Sequence, residues 1–137
     1  MNKVFVDTFY WVEKIRPDSK WAVKIREAES QVRGYRLVTT DDVLTEFLNT
    51  YSEYGVFWRQ KAVDLVKRLL STSTVQLIPQ TRESFRKGVE RYEARKDKKY
   101  SLVDCISMNA MEKECVREIL TEDHHFEQEG FVVLLRK

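Results

Sequence analysis

Val4-Phe5-Val6-Asp7-Thr8 sets a short β-branched and aromatic run directly against an aspartate. Three consecutive apolar residues leave no solvated face, so the run predicts a strand buried on both sides and stopped by Asp7. The same pattern recurs along the chain. Arg36-Leu37-Val38-Thr39 predicts a second strand, and Val75-Gln76-Leu77-Ile78, ended by Pro79, predicts a third. Val116 to Thr121 predicts a fourth and Phe131 to Leu135 a fifth.

Helical periodicity fills the intervals. A helix from about Thr8 to Lys14 is broken by Pro17. Trp21, Val23, Ile25 and Ala28 mark a second, which ends before Gly34. Thr39-Thr40-Asp41-Asp42 opens a third, with hydroxyls to cap free N–H groups and acids at the positive end of the dipole. Val43, Leu44, Phe47, Leu48 and Tyr51 form its apolar stripe. After Gly55 come Ala62, Val63, Val66, Leu69 and Leu70 at helical spacing. A helix from about Arg82 to Arg95 is expected to bury Phe85, Val89 and Tyr92. One starting at Ser101 turns Leu102, Cys105, Ile106 and Met108 inward. Short apolar strands alternating with helices indicate a parallel sheet covered on both faces. The expected fold is α/β: a three-layer α/β/α sandwich around a five-stranded parallel sheet, with residues 1–137 as a single domain.

Composition narrows the function classes. The 137 residues are 42% hydrophobic and 34% charged, which excludes a disordered chain. Lys and Arg number 24 against 22 for Asp and Glu, so total charge does not announce a nucleic-acid binder. The longest apolar run, Phe131 to Leu135, is too short to span a bilayer. The opening residues lack the apolar stretch of a signal peptide, and a cytoplasmic location is expected. Cys105 and Cys115 form no zinc pattern and are expected to be buried free thiols.

Four acids share a position in this scheme. In an open parallel sheet, ligand sites form beyond the carboxyl ends of the strands. Asp7 follows the first strand and Asp123 the fourth, while Glu46 and Asp104 lie in the early turns of helices bordering that edge. Each acid has a plainer reading. Asp7 and Asp123 suit caps, Ser101 and Asp104 have capping-box spacing, and Glu46 suits a solvated helix face. Together they would repel one another strongly without a cation. An oxygen-only set favours Mg²⁺ or Mn²⁺ over zinc, and such a site suits phosphodiester chemistry.

These segments together resemble the PIN-domain nucleases, in particular the VapC-type toxins of bacterial toxin–antitoxin pairs. The resemblance covers nearly the whole chain. Val4 to Thr8 looks like the family's first motif and Thr39 to Asn49 like its second, with Glu46 in the acidic role. Tyr100 to Ser107 is similar to the third, and Leu120 to Phe126 followed by Gly130-Phe131 to the last. Val103 departs from it, standing where close relatives often have a small polar residue. The resemblance implies metal ligation and catalysis by Asp7, Glu46, Asp104 and Asp123, with Thr8 and Thr121 supporting the site by hydrogen bonds. It implies cleavage of single-stranded RNA by a metal-activated water, leaving a 5′-phosphate and a 3′-hydroxyl. It also implies a homodimer and an antitoxin partner. The rival is a catalytically silent PIN-like module that binds RNA or a protein.

Between Arg82 and Lys99, eight basic residues stand against four acids. Lys87, Arg91 and Arg95 recur every four residues and are expected to share a face that could track an RNA backbone. The alternative is a solvated helix with ion pairs such as Glu83–Lys87 and Arg86–Glu90. His124 and His125 beside Asp123 invite a metal or general-base role. Adjacent side chains rarely converge on one ion, so contact with phosphate, for instance by His124, is the preferred expectation. Phe9, Tyr10 and Trp11 suit base stacking less well than packing in a core or dimer interface. Of Asp41, Asp42 and Asp97, Asp42 is the one expected to come nearest the site.

Overall fold

The computed structural model describes residues 2–136, so Met1 and Lys137 lie outside it. Five strands form one all-parallel sheet: β1 (Lys3–Val6), β2 (Arg36–Thr40), β3 (Val75–Ile78), β4 (Glu118–Leu120) and β5 (Val132–Val133). Helices α1 (Thr8–Lys14), α2 (Ala22–Gln31), α3 (Asp41–Thr50), α4 (Val56–Ser71), α5 (Arg82–Ala94) and α6 (Leu102–Lys113) cover both faces. This is the three-layer α/β/α sandwich that the alternating pattern predicts. A 3₁₀ helix over His124–Glu129, which periodicity does not show, joins β4 to β5.

The spatial order is β3-β2-β1-β4-β5. The chain builds outward from β1 through β2 to β3, then crosses back to lay β4 on the other edge of β1. The order therefore reverses between β1 and β4, which opens a crevice at their carboxyl ends. The apolar first run occupies the centre of the sheet. Val4, Phe5 and Val6 are wholly buried, and Phe5 pairs with both Val38 and Ile119.

Local chemistry sets the helix starts. The Thr40 hydroxyl accepts from the Val43 N–H at the head of α3. Reciprocal side-chain and backbone bonds cap α5 through Thr81 and Ser84, and α6 through Ser101 and Asp104. β4 and β5 are shorter than expected, although the Leu134 and Leu135 N–H groups still donate to Ile119 and Thr121.

The expectation for α5 is reversed. Phe85, Val89 and Tyr92 are 37%, 43% and 54% exposed. The inward face carries Ser84, Gly88, Arg91 and Arg95 instead. Gly88 explains the choice: a Cβ built there would lie 2.5 Å from Ile106 Cγ1, so α5 lies against α6 through its glycine. The cysteines divide too. Cys105 is buried, whereas Cys115 is exposed just past α6, where its backbone takes a positive φ of 57°. Among the described residues, no helix is long and apolar enough to cross a membrane.

Candidate metal centre

Asp7 is the first residue past β1 and occupies the N-cap position of α1, but its side chain does not cap that helix. It accepts a hydrogen bond of 2.8 Å from the Thr121 hydroxyl. Thr121 is the first residue past β4 and is wholly buried. Its hydroxyl oxygen also accepts from the Asp123 N–H at 3.2 Å. One threonine thus links the two acids that follow the strands flanking the crevice. The next residue in the chain, Thr8, donates to Glu46 Oε1 at 2.5 Å and so connects the start of α1 to α3.

Asp104 and Asp123 are caps as well as members of the cluster. Asp104 Oδ2 accepts from the Ser101 N–H at 3.0 Å. Asp123 Oδ1 accepts from the His125 N–H at 2.9 Å, starting the 3₁₀ helix. Capping and metal binding do not compete for the whole side chain, because a carboxylate offers two oxygens with several lone pairs.

Burial pushes the Asp7 carboxyl up to about 7, and the charges of Asp104 and Glu46 add to the effect. Hydrogen bonds from the Thr8 backbone and the Thr121 hydroxyl oppose it. Burial also raises Asp104, with Asp123 and Glu46 contributing repulsion. Asp104 and Glu46 thus act on Asp7, and Asp123 and Glu46 on Asp104. Ligand atoms of Asp104, Asp123 and His125 all lie within 4.8 Å of one another. Asp7 and Glu46 stand outside that group, each held by a threonine hydroxyl. Partly desolvated, mutually repelling oxygen donors fit a divalent cation, which would favour their charged forms.

His125 joins Asp104 and Asp123 in this group, a placement the sequence did not favour for either histidine. Its Nδ1 lies 3.2 Å from Asp123 Oδ1, out of hydrogen-bond alignment, and is buried without a hydrogen-bond partner. Once the Asp123 side chain binds the His125 N–H, the turn brings the second side chain back over the first. His124 is exposed and takes a different direction, its ring centroid 6.4 Å from that of His125.

The remaining candidates are distributed elsewhere. Asp42 accepts from Gln80 Nε2 at 2.6 Å, and Asp41 accepts from the Gln80 N–H at 3.0 Å. Both acids fasten α3 to the segment after β3. The basic stripe is split by the Gly88 contact. Lys87 faces outward and pairs with Glu83 at 3.2 Å, while Arg86 pairs with Glu90. Arg91 and Arg95 turn inward to Glu129, at 2.8 and 3.0 Å. Arg91 also bonds Asn109 and Glu112. The Tyr100 hydroxyl donates to the same Glu129 at 2.9 Å. Beside this network, Tyr92, Arg95, Lys96, Lys98, Lys99 and Tyr100 line a groove. The Tyr100 ring lies 5.7 Å from that of His125, which connects this groove to the histidine beside Asp123. Tyr10 and Trp11 are core residues, and Phe9 packs edge-on against Trp21 at 4.9 Å.

No protein-family model matches the sequence. No curated protein matches it either. Solved structures do match it in fold. VapC20 of Mycobacterium tuberculosis, a sarcin–ricin-loop-cleaving toxin, superposes with a TM-score of 0.81 at 20% identity, over 94% of this chain and 96% of its own. FitAcB from Neisseria gonorrhoeae superposes with a TM-score of 0.65 at 13% identity, over 96% of each chain. At these identities the likeness is one of fold.

Proposed function

We propose that this chain is a metal-dependent endoribonuclease of the PIN-domain, VapC-toxin kind, acting on single-stranded RNA. The observation that carries the reading is the pair of acids following β1 and β4, Asp7 and Asp123, joined through Thr121 at the strand-order reversal, with Asp104 beside Asp123 and the carboxyl of Asp7 pushed up to about 7 by burial, to which the charges of Asp104 and Glu46 add. Carboxylates needed only for stability would not be gathered where burial and mutual repulsion both cost free energy. Mg²⁺ or Mn²⁺ held among these acids would supply positive charge against a phosphate and a water of lowered pKa.

The protein's own residues hold the site in shape. Thr121 keeps Asp7 and the Asp123 backbone together, and Thr8 keeps Glu46 turned toward α1. The Lys96–Lys99 loop and the exposed Tyr92 of the adjoining groove suit an RNA backbone and its bases. This moves the RNA path from the Lys87–Arg91–Arg95 face to the loop that follows it. The fold shared with an RNA-cleaving toxin supports RNA as the substrate class. Exposed apolar residues just before and at the start of α4 (Tyr54, Val56, Phe57) and along α5 (Phe85, Val89) suit protein contacts, in line with a homodimer and an antitoxin.

The test is cleavage of single-stranded RNA in Mn²⁺ or Mg²⁺ by the wild type and by Asp7→Asn. We expect metal-dependent cleavage that chelation abolishes. The variant should lose on the order of a hundredfold or more, the scale of removing one group that stabilises transition-state charge. Absence of metal-dependent cleavage, or equal cleavage by the variant, overturns the enzyme reading and favours a silent binding module.

A further inference from the structure

We infer that His125 is a nitrogen ligand of the metal centre, and that it makes the site prefer Mn²⁺ to Mg²⁺. The inference rests on the metal-dependent reading above and adds a ligand to it. Three observations support it. His125 shares with Asp104 and Asp123 the compact set of ligand atoms within 4.8 Å of one another. Its Nδ1 is buried yet makes no hydrogen bond. That nitrogen also stands 3.2 Å from Asp123 Oδ1. Two ligands on adjacent vertices of an octahedron with bonds of about 2.1 Å are separated by about 3 Å. The observed pair is therefore already spaced as neighbouring ligands.

The surroundings hold the imidazole in place. Asp123 Oδ1 binds the backbone N–H of His125, which fixes the turn. Tyr100 packs against the imidazole, and its own hydroxyl is held by Glu129. An unpartnered buried nitrogen loses a hydrogen bond to water and normally finds another partner. A cation bound between the two carboxylates and the imidazole would provide one. Mg²⁺ prefers oxygen ligands and keeps its waters, whereas Mn²⁺ and the later transition metals accept imidazole more readily. An oxygen-only site would discriminate between them less.

The chain has two histidines, so an imidazole signal has few possible sources. The experiment uses the full-length protein without an affinity tag. Mn²⁺ and Mg²⁺ binding is measured by calorimetry on the wild type, His125→Ala, His125→Gln and His124→Ala, each checked for native circular dichroism. Electron spin-echo modulation of bound Mn²⁺ reports directly coordinated nitrogen, and in the wild type it needs no variant to fold. We expect ¹⁴N modulation in the wild type and in His124→Ala, and its loss in both His125 variants. Mn²⁺ affinity should fall by about tenfold or more in the His125 variants, with Mg²⁺ affinity changing much less. Mn²⁺ binding without nitrogen modulation, and with unchanged affinity in the His125 variants, overturns the histidine ligand but leaves the carboxylate site standing. Failure of the wild type to bind either cation overturns the metal-dependent reading, and this inference with it.

Discussion

Asp7 shows how placement changes the properties of an ordinary residue type. An aspartate after a strand is unremarked in sequence, and its side chain would commonly cap the following helix. Here it is 6% exposed and is bound by a threonine from another strand. Its raised carboxyl makes a stability prediction for the metal-free protein. The unfolded chain ionises near the ordinary aspartate value of 3.8 and the folded chain only near 7. Folding is therefore unpenalised at this site below about pH 4. The penalty grows as pH rises from about 4 to 7 and stays constant above, up to about 4 kcal/mol for a shift of that size. Asp7→Asn keeps the acceptor for Thr121 and removes the charge. In chelator we expect it to raise the melting temperature at pH 8 by several degrees and much less at pH 5. A gain independent of pH would show that Asp7 is not raised. Asp7, Asp104 and Asp123 could be nominated because each stands beside a recognisable strand end or helix start, whereas Glu46, further into its helix, was nominated on the family resemblance. His125 was not, since its approach to Asp123 depends on a turn that a two-residue spacing does not announce.

The α5 helix shows that an apolar stripe does not by itself choose the buried face. Phe85, Val89 and Tyr92 have the right spacing, yet Gly88 brings α5 against α6 and leaves them outside. The opposite edge of the helix then points Arg91 and Arg95 at Glu129, whose side chain is only 9% exposed. Those charges connect α5 to the 3₁₀ helix that carries His125. Arg95 is the first cause holding the Glu129 carboxyl down, to about 2, with Tyr100 and Arg91 assisting. A depressed carboxylate contributes stability above its unfolded pKa and loses it as pH falls through the folded one. We expect Glu129→Gln to cost about 2 kcal/mol at pH 7, below the usual range for a broken buried pair because Arg95 remains partly exposed. The difference from wild type should shrink between pH 4.5 and pH 2. Urea denaturation at pH 7, 4 and 3 checks this, and a difference that does not narrow on acidification would refute it.

Strand order converts these local features into a site. The reversal between β1 and β4 brings residues 7 and 121 together across 114 positions of sequence. The Lys96–Lys99 loop lines a groove that reaches Tyr100, which packs against His125, and its cations are available there to a phosphate backbone. Each phosphate contact with single-stranded nucleic acid contributes a slope of about −0.7 to the dependence of log affinity on log salt. Replacing Lys96, Lys98 and Lys99 by Gln together is expected to weaken binding of single-stranded RNA, measured in chelator by fluorescence anisotropy. The salt slope should flatten by about 2. An unchanged slope would show that the RNA runs elsewhere, with Lys87, which is exposed, as the next position to replace.

The alternation of strands and helices, the main caps and the nomination of four acids all followed from the sequence. These features rest on neighbours a few residues apart, where period, branching and hydrogen-bonding side chains act directly. The inward face of α5, the pairing of Arg91 and Arg95, the binding of Asp42 to Gln80 and the approach of His125 to Asp123 were decided by the tertiary structure. The first three depend on which distant segments meet. The last depends on a turn whose geometry is set by one side-chain hydrogen bond. Periodicity assigns a helix its possible faces, but only close packing, here the lack of a Cβ at Gly88, selects the one that is buried.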